Sequence, residues 1–111
     1  MKLPNRDQAI INSNKLVEYV LNVDHDRGGT KAKKLLSYGY HPKQWQRLEW
    51  DIRRYHLELD VLQIKETDYG IRYEIQGALM TPIDQPLLIK TIWQIDIGTT
   101  IPRFITLFPT R

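Results

Sequence analysis

Up to about residue 56 the apolar positions of this chain recur at helical spacing, and beyond it they alternate. Leu16, Val17, Val20 and Leu21 fall on one face of a short helix, with Ser13 or Asn14 as its cap. Before it, residues 7–11 are expected to form a strand-like lead-in; after it, residues 22–29 read as loop. A second helix is predicted from about residue 31 to 38, capped by Thr30 and ended by Gly39 in the left-handed conformation. Pro42 suits the first turn of a third helix, where its missing N–H leaves no hydrogen bond unmade. There Trp45, Leu48, Ile52 and Tyr55 form an apolar stripe expected to face the core, with Arg47, Arg53 and Arg54 lying off it.

After His56 the period falls to two. Leu57, Leu59 and Val61 alternate with polar neighbours, and Tyr69, Ile71, Tyr73 and Ile75 alternate with Gly70, Arg72, Glu74 and Gln76. A turn-rich stretch at 81–86 precedes a run at 87–97 in which Ile89, Trp93, Ile95 and Ile97 share a face. Gly98-Thr99-Thr100 then leads into a last strand at 101–108. Helices first and an antiparallel meander afterwards predict an α+β fold: two to three N-terminal helices packed on one face of a mainly antiparallel sheet of about four strands. The uncovered face should carry Arg72, Glu74, Lys90 and Gln94. In a regular strand it carries only one of Arg103 and Thr106, because residues three apart point to opposite sides; a bulge near Pro102 would change that.

Composition narrows the classes. A chain of 111 residues supports one hydrophobic core, so residues 1–111 are expected to form a single domain. An apolar content of 41% and a charged content of 26% are those of an ordinary globular protein. The net charge of +3 is modest but unevenly placed. Residues 1–56 hold eleven Lys/Arg against six Asp/Glu together with all three histidines, and the remainder holds five against seven. A basic helical half favours a polyanion on one side of the molecule. The absence of cysteine excludes disulfides and thiolate metal sites. With no secretory leader and no apolar run near the ~18 residues of a membrane span, a cytoplasmic location without membrane contact is expected.

The densest chemistry lies in residues 25–34, His-Asp-Arg-Gly-Gly-Thr-Lys-Ala-Lys-Lys. Two glycines open the backbone ahead of a helix start, and Arg27 and Lys31 flank it, which makes an anion seat. Lysines at that end oppose the helix dipole at a cost of a few tenths of a kcal/mol each, roughly, which an anionic partner would offset. His25 adds a group that exchanges protons near neutral pH. An anion seat beside a titratable base suits phosphodiester cleavage without a metal. Metal chemistry itself is poorly supported, and neither a metal nor a cofactor is expected. Asp24-His25-Asp26 starts like a calcium loop but meets Gly28 and Leu35 where ligands are needed, and His41 and His56 lack zinc-type spacing. Gly-Gly-Thr-Lys has the wrong order for a nucleotide P-loop, and no serine or cysteine nucleophile constellation is present.

Several short motifs occur in a set order along the whole chain. They are Leu3-Pro4-Asn5; His25, Gly28, Lys31 and Ala32; Tyr38-Gly39-Tyr40; Trp45; Tyr73-Glu74-Ile75-Gln76-Gly77-Ala78-Leu79; Trp93; and Pro102-Arg103-Phe104-Ile105-Thr106-Leu107-Phe108-Pro109. This pattern resembles a small uncharacterised bacterial domain family with a His-x-x-Gly-x-x-Lys-Ala box and a terminal Pro-Arg-x-x-Thr-x-x-Pro. That family in turn resembles the barnase–EndoU–colicin–RelE group of metal-independent ribonucleases, many of them toxins. The resemblance implies His25, Lys31 and Thr106 as catalytic residues and Arg103 as a phosphate contact. It also implies RNA as substrate and a small acidic antitoxin or immunity protein as partner.

Two departures from the pattern stand out: Asp26 follows His25 where the family often has proline, and no second histidine sits in a matching position. A carboxylate next to the imidazole is expected either to favour its charged form or to disturb its aim. Cleavage by 2′-OH attack needs a base, an acid and charge stabilisation on the phosphoryl oxygens. On this reading His25 does acid–base work, Lys31 and Arg103 hold the phosphate, and Thr106 positions an oxygen. Glu74 is expected to take the remaining proton or contact a base. Tyr73 is a weaker substrate contact, since alternation turns it to the other face. The competing class is a non-catalytic RNA-binding or protein-interaction module of a toxin–antitoxin or immunity system.

Overall fold

The computed structural model describes residues 1–25 and 29–110, and it has the expected α+β architecture. A 3-10 turn at Arg6–Gln8 and a π-helical segment at Lys15–Val20 precede helix α1, Gly29–Ser37. A short 3-10 turn, Pro42–Gln44, leads into α2, Trp45–Asp51, which runs on as a π-helical segment over Ile52–His56. Four strands follow, β1 Val61–Thr67, β2 Gly70–Met80, β3 Pro86–Asp96 and β4 Arg103–Pro109. They form one antiparallel sheet in chain order.

Local chemistry explains most of the boundaries. The ring nitrogen Nδ1 of His41 accepts a hydrogen bond from the Lys43 N–H at 3.1 Å, so an imidazole caps the turn that Pro42 begins. Gly39 adopts φ +99° just past α1, as its terminating role requires. Helix α1 begins two residues earlier than predicted, at Gly29 rather than Lys31. A Cβ at Gly29 would collide with the Val23 carbonyl oxygen, so glycine lets the preceding loop close against the helix.

Four expectations about boundaries change. Leu57 and Leu59 alternate by sequence yet precede the sheet: Leu57 closes the end of the π-helical segment, and a Leu59 methyl fills the space a side chain at Gly77 would take. The strand-like lead-in is a 3-10 turn followed by a single parallel bridge, Ile10 to Arg103, along the outer edge of β4. Ile97 leaves the core face because β3 ends at Asp96, and it is exposed in the turn. The last strand starts at Arg103, two residues later than predicted.

The core lies between the helices and one face of the sheet. Leu16, Val20 and Leu21, then Leu35, then Leu48 and Ile52 pack against Tyr73, Ile75, Leu79, Ile89, Trp93, Phe104 and Leu107. Trp93 is fully buried; it meets the Phe104 ring edge-on at 5.4 Å and its indole N–H donates to Thr91 Oγ1 at 2.8 Å. Under the helices the Tyr40 hydroxyl donates to Asp51 Oδ2 at 2.7 Å, and Arg47 Nε donates to the same oxygen at 3.0 Å. Burial first, and then the adjacent Asp51 carboxylate, push the Tyr40 phenol far above its ordinary range.

Candidate functional site on the open face of the sheet

Strand register decides which side chains the helices leave uncovered. Arg72, Glu74 and Gln76 of β2 stand opposite Gln94, Ile92 and Lys90 of β3, while Tyr73, Ile75 and Leu79 point into the core. Across the other ladder Gln94 pairs with Arg103, Ile92 with Thr106 and Lys90 with Phe108. Ile105 has no partner in that ladder, because the register shifts between Ile92 and Trp93. This β-bulge resolves the conflict posed by the sequence. Arg103 and Thr106, which a regular strand would send to opposite sides, both face away from the helices.

The face that results is cationic and polar. Lys65 of β1, Arg72, Lys90 and Arg103 lie on it with two carboxylates, Glu74 and Asp96. Arg103 grips Asp96 with two parallel bonds, Nε to Oδ2 at 2.7 Å and Nη2 to Oδ1 at 3.1 Å. Gln94 Nε2 donates to Oδ1 at 2.6 Å. The Arg103 bonds first, and then Gln94, hold the Asp96 carboxyl below the usual carboxylate range; in return Asp96 raises the Arg103 guanidinium above its own. Two donors on this face are buried without a hydrogen-bond partner among the described residues, Thr106 Oγ1 and Arg72 Nε. A buried polar atom left unpaired costs about 1–3 kcal/mol, so such atoms call for an explanation.

Lys31 reaches this face from α1. Its ammonium lies 5.0 Å from the centre of the Phe108 ring, and Lys90 Nζ lies 6.0 Å from the same centre. Lys31, Phe108 and Lys90 thus extend the surface on which Thr106 and Arg103 stand. His25 is not gathered with them. It lines a separate hollow of about 440 Å³ with Asn14, Lys15, Glu18 and Tyr19, and its ring packs on Tyr19 at 4.4 Å. Glu74 is on the open face and half-buried, beside Arg72. Tyr73 is in the core, as strand alternation required, so its ring does not face a ligand on this surface. Arg27 falls outside the described residues. The sequence pattern did not single out Asp96 or Thr110 and gave Phe108 only as part of the terminal motif; strand pairing brings all three beside Arg103 and Lys31.

No helix of the described residues is long and apolar enough to cross a membrane. No curated protein matches the chain. Among solved structures, a chain of the contact-dependent growth inhibition toxin–immunity protein complex from Klebsiella pneumoniae 342 shares this fold. Its TM-score is 0.61 at 12% identity, over 91% of this chain and 99% of that one. A family model described as a domain of unknown function, DUF6883, matches residues 2–111, and the chain therefore belongs to the DUF6883 family.

Proposed function

We propose that this protein is a metal-independent endoribonuclease of the toxin type, which cleaves RNA by attack of the 2′-OH on the adjacent phosphorus. One observation carries the reading above the others: the β4 bulge puts Arg103 and Thr106 on the same cationic face as Arg72 and Glu74, with two buried donors there lacking a partner among the described residues. A phosphodiester supplies acceptor oxygens of the right charge for both. Arg72 and Arg103 would stabilise the phosphoryl oxygens as charge develops, Thr106 would hold one of them, and Lys31, seated over Phe108, would hold the neighbouring phosphate. Glu74 accepts the 2′-OH proton as the new P–O bond forms and the bond to the 5′-oxygen breaks, and the departing oxygen takes its proton from solvent, because His25 lines a separate hollow. The products are a 2′,3′-cyclic phosphate and a 5′-hydroxyl.

The motif resemblance to the barnase–EndoU–colicin–RelE group supports the same reading. So does likeness to a chain from a growth-inhibition toxin–immunity complex. A protein partner belongs to the proposal as well: a small acidic antitoxin or immunity protein would complement the cationic face, and the cell's cytoplasm is where its RNA substrate lies. The test is incubation of the purified protein with total RNA in EDTA, with the new ends analysed chemically. Cleavage leaving cyclic phosphates, reduced about 100-fold or more in Glu74→Gln on the usual size of acid–base contributions, is the expected result. Binding without cleavage would replace the enzyme by an RNA-binding module. Neither binding nor cleavage would remove both and leave a protein-interaction module.

A further inference from the structure

We infer that the ligand track continues along β4 beyond the reaction centre to a second phosphate subsite, a hollow lined by Thr30, Lys31, Lys34, Pro109 and Thr110. The inference rests on the reading of the open face as an RNA site, and it specifies the substrate as a polynucleotide gripped at more than one phosphate.

Three observations converge on this hollow of about 220 Å³. Thr110 continues the β4 ladder, its N–H donating to the Leu88 carbonyl at 2.8 Å, and its Oγ1 is buried with no partner among the described residues. It repeats the condition of Thr106 Oγ1 four residues earlier on the same strand. Lys31 and Lys90 both bring their ammonium groups over the single Phe108 ring that lies between the two threonines. Two like charges converging on one ring repel each other, and an anion bound beside them relieves that repulsion. Lys34 lines the same hollow and adds a third ammonium.

Spacing then selects the kind of ligand. Four strand residues span about 13 Å at ~3.3 Å per residue, whereas a phosphate oxygen hydrogen-bonds only within about 3 Å. A single phosphate cannot satisfy both threonine hydroxyls. A chain of phosphates lying along β4 can, with Arg103 and Thr106 at one end, Phe108 in the middle, and Lys34 and Thr110 at the other.

The test compares a dinucleotide with a labelled single-stranded RNA of roughly ten nucleotides, both 2′-O-methylated so that the 2′-oxygen cannot attack and bound ligand stays intact, a length within the usual range for single-strand sites. Affinity and its salt dependence are measured in EDTA for wild type, Lys34→Gln and Thr110→Val. For the longer RNA, Lys34→Gln should weaken binding about fivefold and lower the salt slope by about 0.7, the share of one phosphate contact on a single strand. Thr110→Val should weaken it about threefold with the slope unchanged, and dinucleotide affinity should stay the same in both. Wild type that binds the longer RNA while both variants match it in affinity and slope would overturn the second subsite and leave the reaction centre standing. A wild type that binds neither RNA would overturn the RNA reading itself. Equal loss of dinucleotide affinity in the variants would mean that the two sites are one, and would also refute the inference.

Discussion

Replacing Thr106 by valine should move stability and activity in opposite directions. Valine keeps the volume and the β-branching that suit a strand, so the exchange removes little except a hydroxyl. In the free protein that hydroxyl is buried and has no partner among the described residues, a condition worth about 1–3 kcal/mol against folding. Part of this is recovered by the unbound protein through rearrangement, so a gain of about 1 kcal/mol is the expected outcome, or a rise of about 4 °C in Tm for a domain of this size. Cleavage of RNA should fall about 100-fold, the usual effect of deleting one donor to a phosphoryl or carbonyl oxyanion. Urea or thermal denaturation followed by circular dichroism gives the first number, and initial rates on a defined oligoribonucleotide give the second. A merely structural threonine would lower both together. Loss of more than about 1 kcal/mol of stability in the variant would show that the hydroxyl has a partner in the fold and refute the reasoning.

Three further outcomes follow from the geometry. His56 is fully buried, and its Nε2–H donates to the Ile75 carbonyl at 3.2 Å while Nδ1 has no partner among the described residues; burial lowers its pKa to about 4. Because the folded value lies below the unfolded one of 6.5, stability should be full above pH 6.5 and fall by about 3 kcal/mol as the pH drops toward 4. His56→Gln should flatten that window in denaturation curves taken across it, and an unchanged slope would contradict the assignment. Tyr40→Phe strips the buried Asp51 carboxylate of one donor and leaves Arg47, which should cost about 1.5–3 kcal/mol in urea unfolding while sparing RNA cleavage. Gly70→Ala places a Cβ against the Ile95 carbonyl oxygen at φ +147°; a loss of about 1–3 kcal/mol is expected, and a neutral result would exclude that contact.

Much of the fold could be read from hydrophobic spacing because burial acts on one face at a time. Leu48 and Ile52 of that helical stripe are fully buried, but Tyr55, in phase with them by sequence, is exposed, because the helix widens to π geometry there and His56 takes the inward position instead. Leu57 and Leu59 misled for a related reason: alternation over three residues is also produced by a helix end followed by a turn. The site was legible only in pieces. Arg72, Glu74 and Lys90 could be assigned to the open face from parity alone, since β2 and β3 pair without interruption from Gly70 to Met80. Arg103 with Thr106 could not, because no composition rule locates a one-residue bulge. Lys31 was visible as part of a basic loop, yet its seat against Phe108 depends on α1 docking beside β4. His25 shows the limit of motif reasoning, since adjacency to Lys31 in sequence did not place both in one hollow.

The unpaired Ile105 has a consequence for altering this protein. It acts as a phase shifter: upstream of it the odd-numbered Arg103 looks outward, and downstream of it the even-numbered Thr106 and Phe108 do. Shortening the strand by this single residue would preserve every functional side chain in the sequence while sending one part of the set into the core. The count of residues between arginine and threonine is therefore as much a determinant of the surface as their identities are.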